Sequence, residues 1–344
     1  MRVDVVVYPA MQESLAQEIL RKLQAASRVA LVLHRRPDAD SLGSAAAFAA
    51  LLSAQAIPYS FYCVTALPSE AHYFGIDQGN CLNAEGLIKA NPDVVCTFDA
   101  GDLIHAGLTP SPYPHPTCGL PLPEGEGGVR GQPFIINIDH HATNTRFGML
   151  NVVEVKCAST TEVVYRLLHL LHAPISARVA GYLLAGLLHD TDHFLNPATS
   201  GPALEMAGQL MGHGVSLSEL RQLLFERWSM GALRLIGEVL SRLKHNRRYG
   251  MAITYVTEED VARHGVSFDE VEGIANMLNA LGEVRAMCLL KASNGHIRGS
   301  FRTTREDVNV GGLAELFGGG GHRKASGFTI RGALQIEEGR VKVI

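Results

Sequence analysis

A chain of 344 residues with 47% hydrophobic side chains is long enough to bury two cores, one per domain. Its longest run without a charge or strongly polar residue, Ala45 to Leu52, falls well short of the roughly 20 residues of a membrane span. The charged, amphipathic segment 12–26 lacks the apolar stretch of a signal peptide, so a cytoplasmic protein with no membrane partner is expected. Charge is unequally divided, with 14 Lys and Arg against 21 Asp and Glu in residues 1–228 and 16 against 13 in residues 229–344. An acidic part suited to cations beside a basic part suited to phosphates fits a metal-dependent phosphate enzyme better than a binder of long nucleic acid, which needs a broad basic face. The six cysteines show no CxxC spacing and sit mostly in apolar runs, so no zinc or disulfide framework is expected.

Residues 12–26 place Leu15, Ile19 and Leu23 at helical spacing, and Val29–Leu33 follow as a compact apolar strand. That strand runs into HRRPDADSLGS at 34–44, where His34, Asp38 and Asp40 emerge together on one loop, ahead of a small-residue helix over 45–54. An imidazole with two carboxylates suits manganese or magnesium. Strands are expected over 58–64 and 93–98, the second ending in the acid Asp99. Residues 105–133, rich in Pro and Gly and without periodicity, read as a long inserted loop.

The run Phe134–Ile138 reads as a buried parallel strand, yet it stops at Asp139, His140 and His141. Groups at the carboxyl end of such a strand sit where open α/β sheets place their ligands. Ser159 and Glu162 have the spacing of a capping box at the head of a helix through Leu171. A closely packed helix over 176–188 then leads into His189, Asp190, Thr191 and Asp192. Residues 1–196 form the expected catalytic domain, an α/β parallel sheet with helices on both faces. Residues 197–228 read as a helical interdomain linker and residues 229–344 as a smaller α/β substrate-binding domain.

In that second domain, strands are expected over 284–291 and 296–302. Alternation in the latter puts Arg298, Ser300 and Arg302 on one face and Ile297, Gly299 and Phe301 on the other. The loop containing Gly319, Gly320, Gly321, His322 and Lys324 lets backbone amides approach a phosphate closely.

His34, Asp38, Asp40, Asp99, Asp139, His140, His141 and Asp190 all fall at or just beyond the ends of apolar elements in one domain. They exceed what one ion needs and suit two ions roughly 3.5–4 Å apart, sharing a carboxylate and activating a bridging water for attack on phosphorus.

With HRRPDADSLGS at 34–44, the acid of FDAGD at 99, IDHH at 138–141, ASTTE at 158–162, HDT at 189–191 and GGGGHRKASG at 318–327, the sequence resembles the DHH phosphoesterases. It looks most like the branch of oligoribonucleases that degrade nanoRNA and also act as pAp phosphatases. The resemblance implies that His34 and Asp38 hold one manganese and Asp40, His140 and Asp190 the other, with Asp99 bridging. Magnesium or cobalt are alternative cofactors. It also implies that Asp139 orients a histidine, that His141 contacts the scissile phosphate, and that Arg302, Arg298, Lys324, His322 and the glycine loop grip the substrate as the domains close. The implied partners are short RNA or nucleotide substrates and a second copy of the chain in a homodimer. Where the family usually has Gly, this chain has Asp192, read as a changed turn. The implied reaction is hydrolysis of very short oligoribonucleotides, including pApA, to mononucleotides, and of 3′-phosphoadenosine 5′-phosphate to AMP. The alternatives are a pyrophosphatase or exopolyphosphatase using the same metals, or a non-catalytic nucleotide sensor.

Overall fold

The computed structural model describes residues 13–108, 133–196, 199–225, 229–268, 270, 274–278, 281–321, 323–337 and 340–344. The chain divides into two compact units, residues 1–224 and 225–344.

The first unit is built on a six-stranded, all-parallel sheet in the order β3-β2-β1-β4-β5-β6: Cys81–Leu82, Tyr59–Tyr62, Val29–Leu33, Val94–Phe98, Phe134–Asp139 and Leu150–Val153. The central strands are mostly apolar because both of their faces are buried, and the polar Thr97 and Asn137 within them bond to each other. On one face Leu31, Leu33, Cys96, Phe98, Ile136 and Ile138 meet α1 (Glu13–Ala25), α2 (Ala39–Ala54), α4 (Thr160–Leu170) and α5 (Ala177–Asp190). On the other, Ala30, Val32, Tyr62, Val95 and Ile135 meet Leu87 of α3 (Ala84–Ala90) together with Ala106, Leu108 and Phe147. From β1 the chain moves outward to β2 and β3, then returns to lay β4 on the opposite side of β1. The reversal opens a crevice beyond the carboxyl ends of β1 and β4, the position where doubly wound sheets bind ligands.

Two boundaries differ from expectation in ways that bear on the site. Helix α2 begins at Ala39 with Asp38 as its N-cap, so Asp40 lies in the first helical turn and not on the loop. Helix α5 continues through Asp190, which therefore ends a helix instead of following one. The segment expected as a linker forms α6 (Gly201–Gly212) and α7 (Leu217–Phe225), and Met206, Leu210 and Leu220 are buried in the core of the first unit. The insert 105–133 is described at 105–108 and 133; the rest of it lies outside the described residues. Among the described residues, no helix is long and apolar enough to cross a membrane.

The second unit has a mixed sheet in the order β11-β12-β10-β9-β8-β7: Gly320–Gly321, Ala325–Arg331, His296–Arg302, Ala286–Ser293, Met251–Thr257 and Lys244–Asn246. Helices α8 (Met230–Ser241) and α10 (Ile274–Leu278) pack on Ala252, Val256, Met287 and Leu289. Val310 and Ala314 of α11 (Val310–Glu315) cover Phe301 and Phe328 on the opposite face. Helix α9 (Glu258–His264) carries a reciprocal capping box between Thr257 and Asp260. Asp260, 2% exposed, takes both guanidinium nitrogens of Arg242 at 2.6 and 2.8 Å. Burial opposes its charge, but Arg242 and the Thr257 amide pull its pKa down to about 2. Its stabilisation is thus complete above the ordinary carboxylate range and fades as pH falls through about 2. Asp260→Ala removes the acidic half of the capping box and leaves Arg242 to Glu238 alone, and is expected to destabilise this unit by about 2 kcal/mol, measurable by denaturant unfolding of the full chain at neutral pH.

Candidate metal centre

His34, Asp99 and Asp139 end three strands that lie side by side in the sheet, β1, β4 and β5. Asp38 and Asp40 enter from the start of α2, and Asp190 from the end of α5. All eight residues singled out in the first unit therefore meet at one crevice, together with His189.

Among the described residues, four overlapping sets of ligand atoms lie within 4.8 Å: His34, Asp38 and Asp99; Asp40, His140 and Asp190; Asp99, His140 and His141; and Asp38, His189 and Asp190. Asp99 joins the first set to the third. Its Oδ2 is 3.4 Å from His34 Nε2, and its Oδ1 is 3.7 Å from His140 Nε2 and 3.4 Å from His141 Nδ1.

The imidazoles are oriented as ligands are. Nδ1 of His34 bonds the Arg35 carbonyl at 2.8 Å and Nδ1 of His140 bonds that of Cys157 at 3.2 Å, which turns both Nε2 atoms inward. Among the described residues, those two buried Nε2 atoms find no hydrogen-bond partner of suitable geometry, although Asp190 Oδ2 stands 3.0 Å from His140 Nε2 and Asp99 Oδ2 3.4 Å from His34 Nε2. A buried polar atom left without a hydrogen bond calls for an explanation, and a divalent cation among these carboxylates supplies one. The donor set fits such an ion, carboxylate oxygen with some imidazole nitrogen.

The carboxylates are held just as firmly. Asp38 caps α2, its Oδ1 accepting from the amides of Asp40 and Ser41 at 3.0 and 3.1 Å. Asp40, fully buried, takes the Thr160 and Thr161 amides at the head of α4 on its two oxygens at 2.6 and 2.8 Å. Thr160 Oγ1 donates to Asp99 Oδ1 at 2.9 Å. Asp139 Oδ1 accepts from His141 Nδ1 at 2.8 Å and from the His140 amide at 2.7 Å, while Asn144 donates to its Oδ2. Asp139 is fully buried and absent from every ligand set, so its contact with the site runs through His141.

Packed together, these charges distort one another's titration. Burial and the carboxylates of Asp190 and Asp99 raise Asp40 well above the ordinary range. Against burial, the carboxylates of Asp38 and Asp99 raise His34 to about 11. Against burial, Asp38 and Asp190 raise His189 to about 9. Asp190 carries its negative charge at a helix C-terminus, where the helix dipole disfavours it, so it gains from a cation there.

Gly186, on the face of α5 toward the site, lets that helix close in. A Cβ there would lie 2.5 Å from Thr161 Cγ2 and 2.8 Å from Asp40 Oδ1. Gly186→Ala is expected to leave the helical content intact while weakening divalent-ion binding roughly tenfold, the scale of losses around metal ligands, read by calorimetric metal titration.

His189, Thr160, Thr161 and Asn144 escaped sequence reasoning. His189 had a signal, being a second imidazole beside Asp190. Asn137, a fully buried polar residue within an apolar strand, pointed to Asn144, which donates to its Oδ1 at 2.8 Å. Asp192 belongs to none of the ligand sets found among the described residues. It sits with φ +48° in a turn closed by its amide on the His189 carbonyl.

In the second unit Arg302 and Ser300 pair across the sheet with Ala325 and Gly327, and Gly320 pairs with Gly327. The cationic face of β10 thus lies beside the glycine segment. Gly319 has no room for a side chain, since a Cβ would lie 2.2 Å from the Gly327 carbonyl oxygen. Arg298 is exposed. Lys324 bonds Glu306 at 2.5 Å, so its charge is shared with a carboxylate. His322 lies outside the described residues.

The DHH family N-terminal domain matches residues 28–187 and the DHHA1 domain matches residues 235–343. A protein of Thermus thermophilus named bifunctional oligoribonuclease and PAP phosphatase NrnA is 36% identical over 63% of the chain, a match spanning 64% of that protein. The Bacillus subtilis protein of the same name is 25% identical over 91% of the chain and 92% of its own length. The crystal structure of an exopolyphosphatase-related protein from Bacteroides fragilis superposes with a TM-score of 0.83 at 23% identity, covering 97% of this chain and 95% of that one, which shows the fold.

Proposed function

The chain belongs to the DHH family, a DHH domain followed by a DHHA1 domain, and from this we propose that it is a manganese-dependent phosphoesterase of very short oligoribonucleotides and of pAp. The observation that carries the reading is the pair of buried, hydrogen-bond-free Nε2 atoms of His34 and His140, facing separate groups of carboxylates that share Asp99 as a neighbour. The substrate class comes from the two relatives named as oligoribonucleases and PAP phosphatases.

In this reading His34, Asp38 and Asp99 hold one ion, and Asp40, Asp99, His140 and Asp190 the other. Bound there, the ions would supply Lewis-acid stabilisation of the phosphoryl oxygens and a hydroxide nucleophile at neutral pH. The chain's own groups do the rest. Asp139 holds the Nδ1 proton of His141 and so presents Nε2 of that ring to the substrate phosphate. Arg302, Arg298 and the glycine segment of the second unit bind the nucleotide's remaining phosphate.

The test is a time course with manganese on 5′-phosphorylated RNAs of two to about ten nucleotides, pAp, cyclic di-AMP and pyrophosphate, with His140→Ala as the control. Rapid release of mononucleotides from dinucleotides, and of AMP and phosphate from pAp, both absent in the variant, is expected. Phosphate release from pyrophosphate with nucleotides untouched would overturn the assignment in favour of a pyrophosphatase. Tight nucleotide binding without product at any metal concentration would leave a nucleotide sensor.

A further inference from the structure

From Ser241 to Thr257 the second unit has no acidic side chain, whereas Lys244, His245, Arg247, Arg248 and Tyr249 are all exposed on β7 and the turn into β8. The neighbouring Arg242 shows what a structural arginine looks like here, neutralised by Asp260 and Glu238. Among the described residues no carboxylate pairs with Lys244, Arg247 or Arg248.

Protection of the sheet edge accounts for part of this cluster. Strand β7 is the last in its sheet, and charges on an edge strand discourage pairing with another chain. That covers Lys244 and His245. Arg247, Arg248 and Tyr249 lie beyond the strand, in a turn fixed by Asn246, whose Oδ1 accepts from the amides of Arg248 and Tyr249 at 3.1 and 3.4 Å. Tyr249 is 61% exposed, and the Arg248 guanidinium lies 5.4 Å from its ring centroid. Unpaired cations around an exposed ring on a rigid turn match the chemistry of a single-stranded polynucleotide, phosphates on the cations and a base on the ring.

We propose that this turn is a contact site for single-stranded RNA, with Lys244, Arg247 and Arg248 on phosphates and Tyr249 stacked on a base. The choice of RNA over other polyanions rests on the oligoribonuclease reading. It gives the second unit a hold on single-stranded RNA that does not depend on the metal centre and leaves the chemistry unchanged.

Binding of a 3′-labelled RNA of about ten nucleotides is measured by fluorescence anisotropy on the full-length protein in EDTA, where nothing is hydrolysed. R247E/R248E is expected to weaken binding about tenfold or more and to lower the slope of log K against log salt by about 1.4, from about 0.7 per phosphate contact on single strands. Tyr249→Ala is expected to weaken it about tenfold with the slope unchanged. Turnover of pAp and a dinucleotide by both variants should stay within about twofold of wild type, which also certifies their folding. Unchanged RNA binding in both variants overturns the proposal. So does dependence on the two arginines of binding to phosphatidylserine vesicles but not to RNA, which makes the turn a lipid contact. If the wild-type protein hydrolyses no nucleotide, the functional reading fails, while the binding measurement, made without turnover, still decides the turn.

Discussion

Asp99→Ala is expected to lower kcat/KM by roughly four orders of magnitude or more and to leave the centre unable to retain either ion. Asp99 has no substitute, because it stands next to His34 on one side and to His140 and His141 on the other, at 3.4–3.7 Å. Its backbone adopts φ +57°, a conformation that costs alanine about 1–2 kcal/mol but suits asparagine. Asp99→Asn therefore separates the two effects, keeping the turn while removing the charge. Both variants should be inactive in the turnover assay, with only the alanine losing thermal stability beyond what metal removal costs. Wild-type turnover in the asparagine variant would refute the shared-carboxylate assignment.

Stripping the protein of divalent ions is expected to cost more stability the higher the pH. In the ion-free centre the carboxylates raise His34 to about 11 and His189 to about 9. A raised imidazole stabilises the fold fully below its unfolded value near 6.5, and that stabilisation is lost as pH climbs through the folded value. Asp40, also raised, acts in the same direction: the folded state holds its proton longer than the unfolded chain does, so stability falls as pH rises above the ordinary carboxylate range. Metal binding runs the opposite way, since these ligands bind ions in their deprotonated forms. The gain in Tm on adding manganese to EDTA-treated protein should thus grow between pH 6.5 and 9. A gain that is flat or shrinks over that range would show that these groups are not the ligands.

The strand ends were legible because their chemistry contrasts with their surroundings. A carboxylate and two imidazoles closing an apolar run, as after Ile138, stand out, and the acids at the ends of the neighbouring apolar elements turn that contrast into a site. The parallel sheet was legible from its long apolar runs, since strands buried on both faces are predominantly apolar. Harder to see was what lay on the far side of a contact. The amides of Thr160 and Thr161 carry no side-chain signature, and their role becomes visible only once α4 is docked with its first turn against Asp40. Asp40 itself was placed on one loop with His34 and Asp38, whereas Asp38 caps the helix that contains it. The strand Leu150–Val153 was missed for want of length, four residues at the sheet edge with two only half-buried. The helices around Met206 and Leu220 looked like a linker because a helix face shows which side is apolar and not which core it will join.

Asp40 reaches amides 120 residues further along the chain, and the last of its neighbours in the centre is Asp190, in the final turn of α5. A ribosome making this protein therefore exposes His34, Asp38, Asp40 and Asp99 long before anything exists to assemble them. Hydrolytic competence arrives only after α4 and α5 have left the exit tunnel and docked, because they bring the amides that hold Asp40 and the carboxylate of Asp190. Any product of premature termination ahead of α5 is born inert.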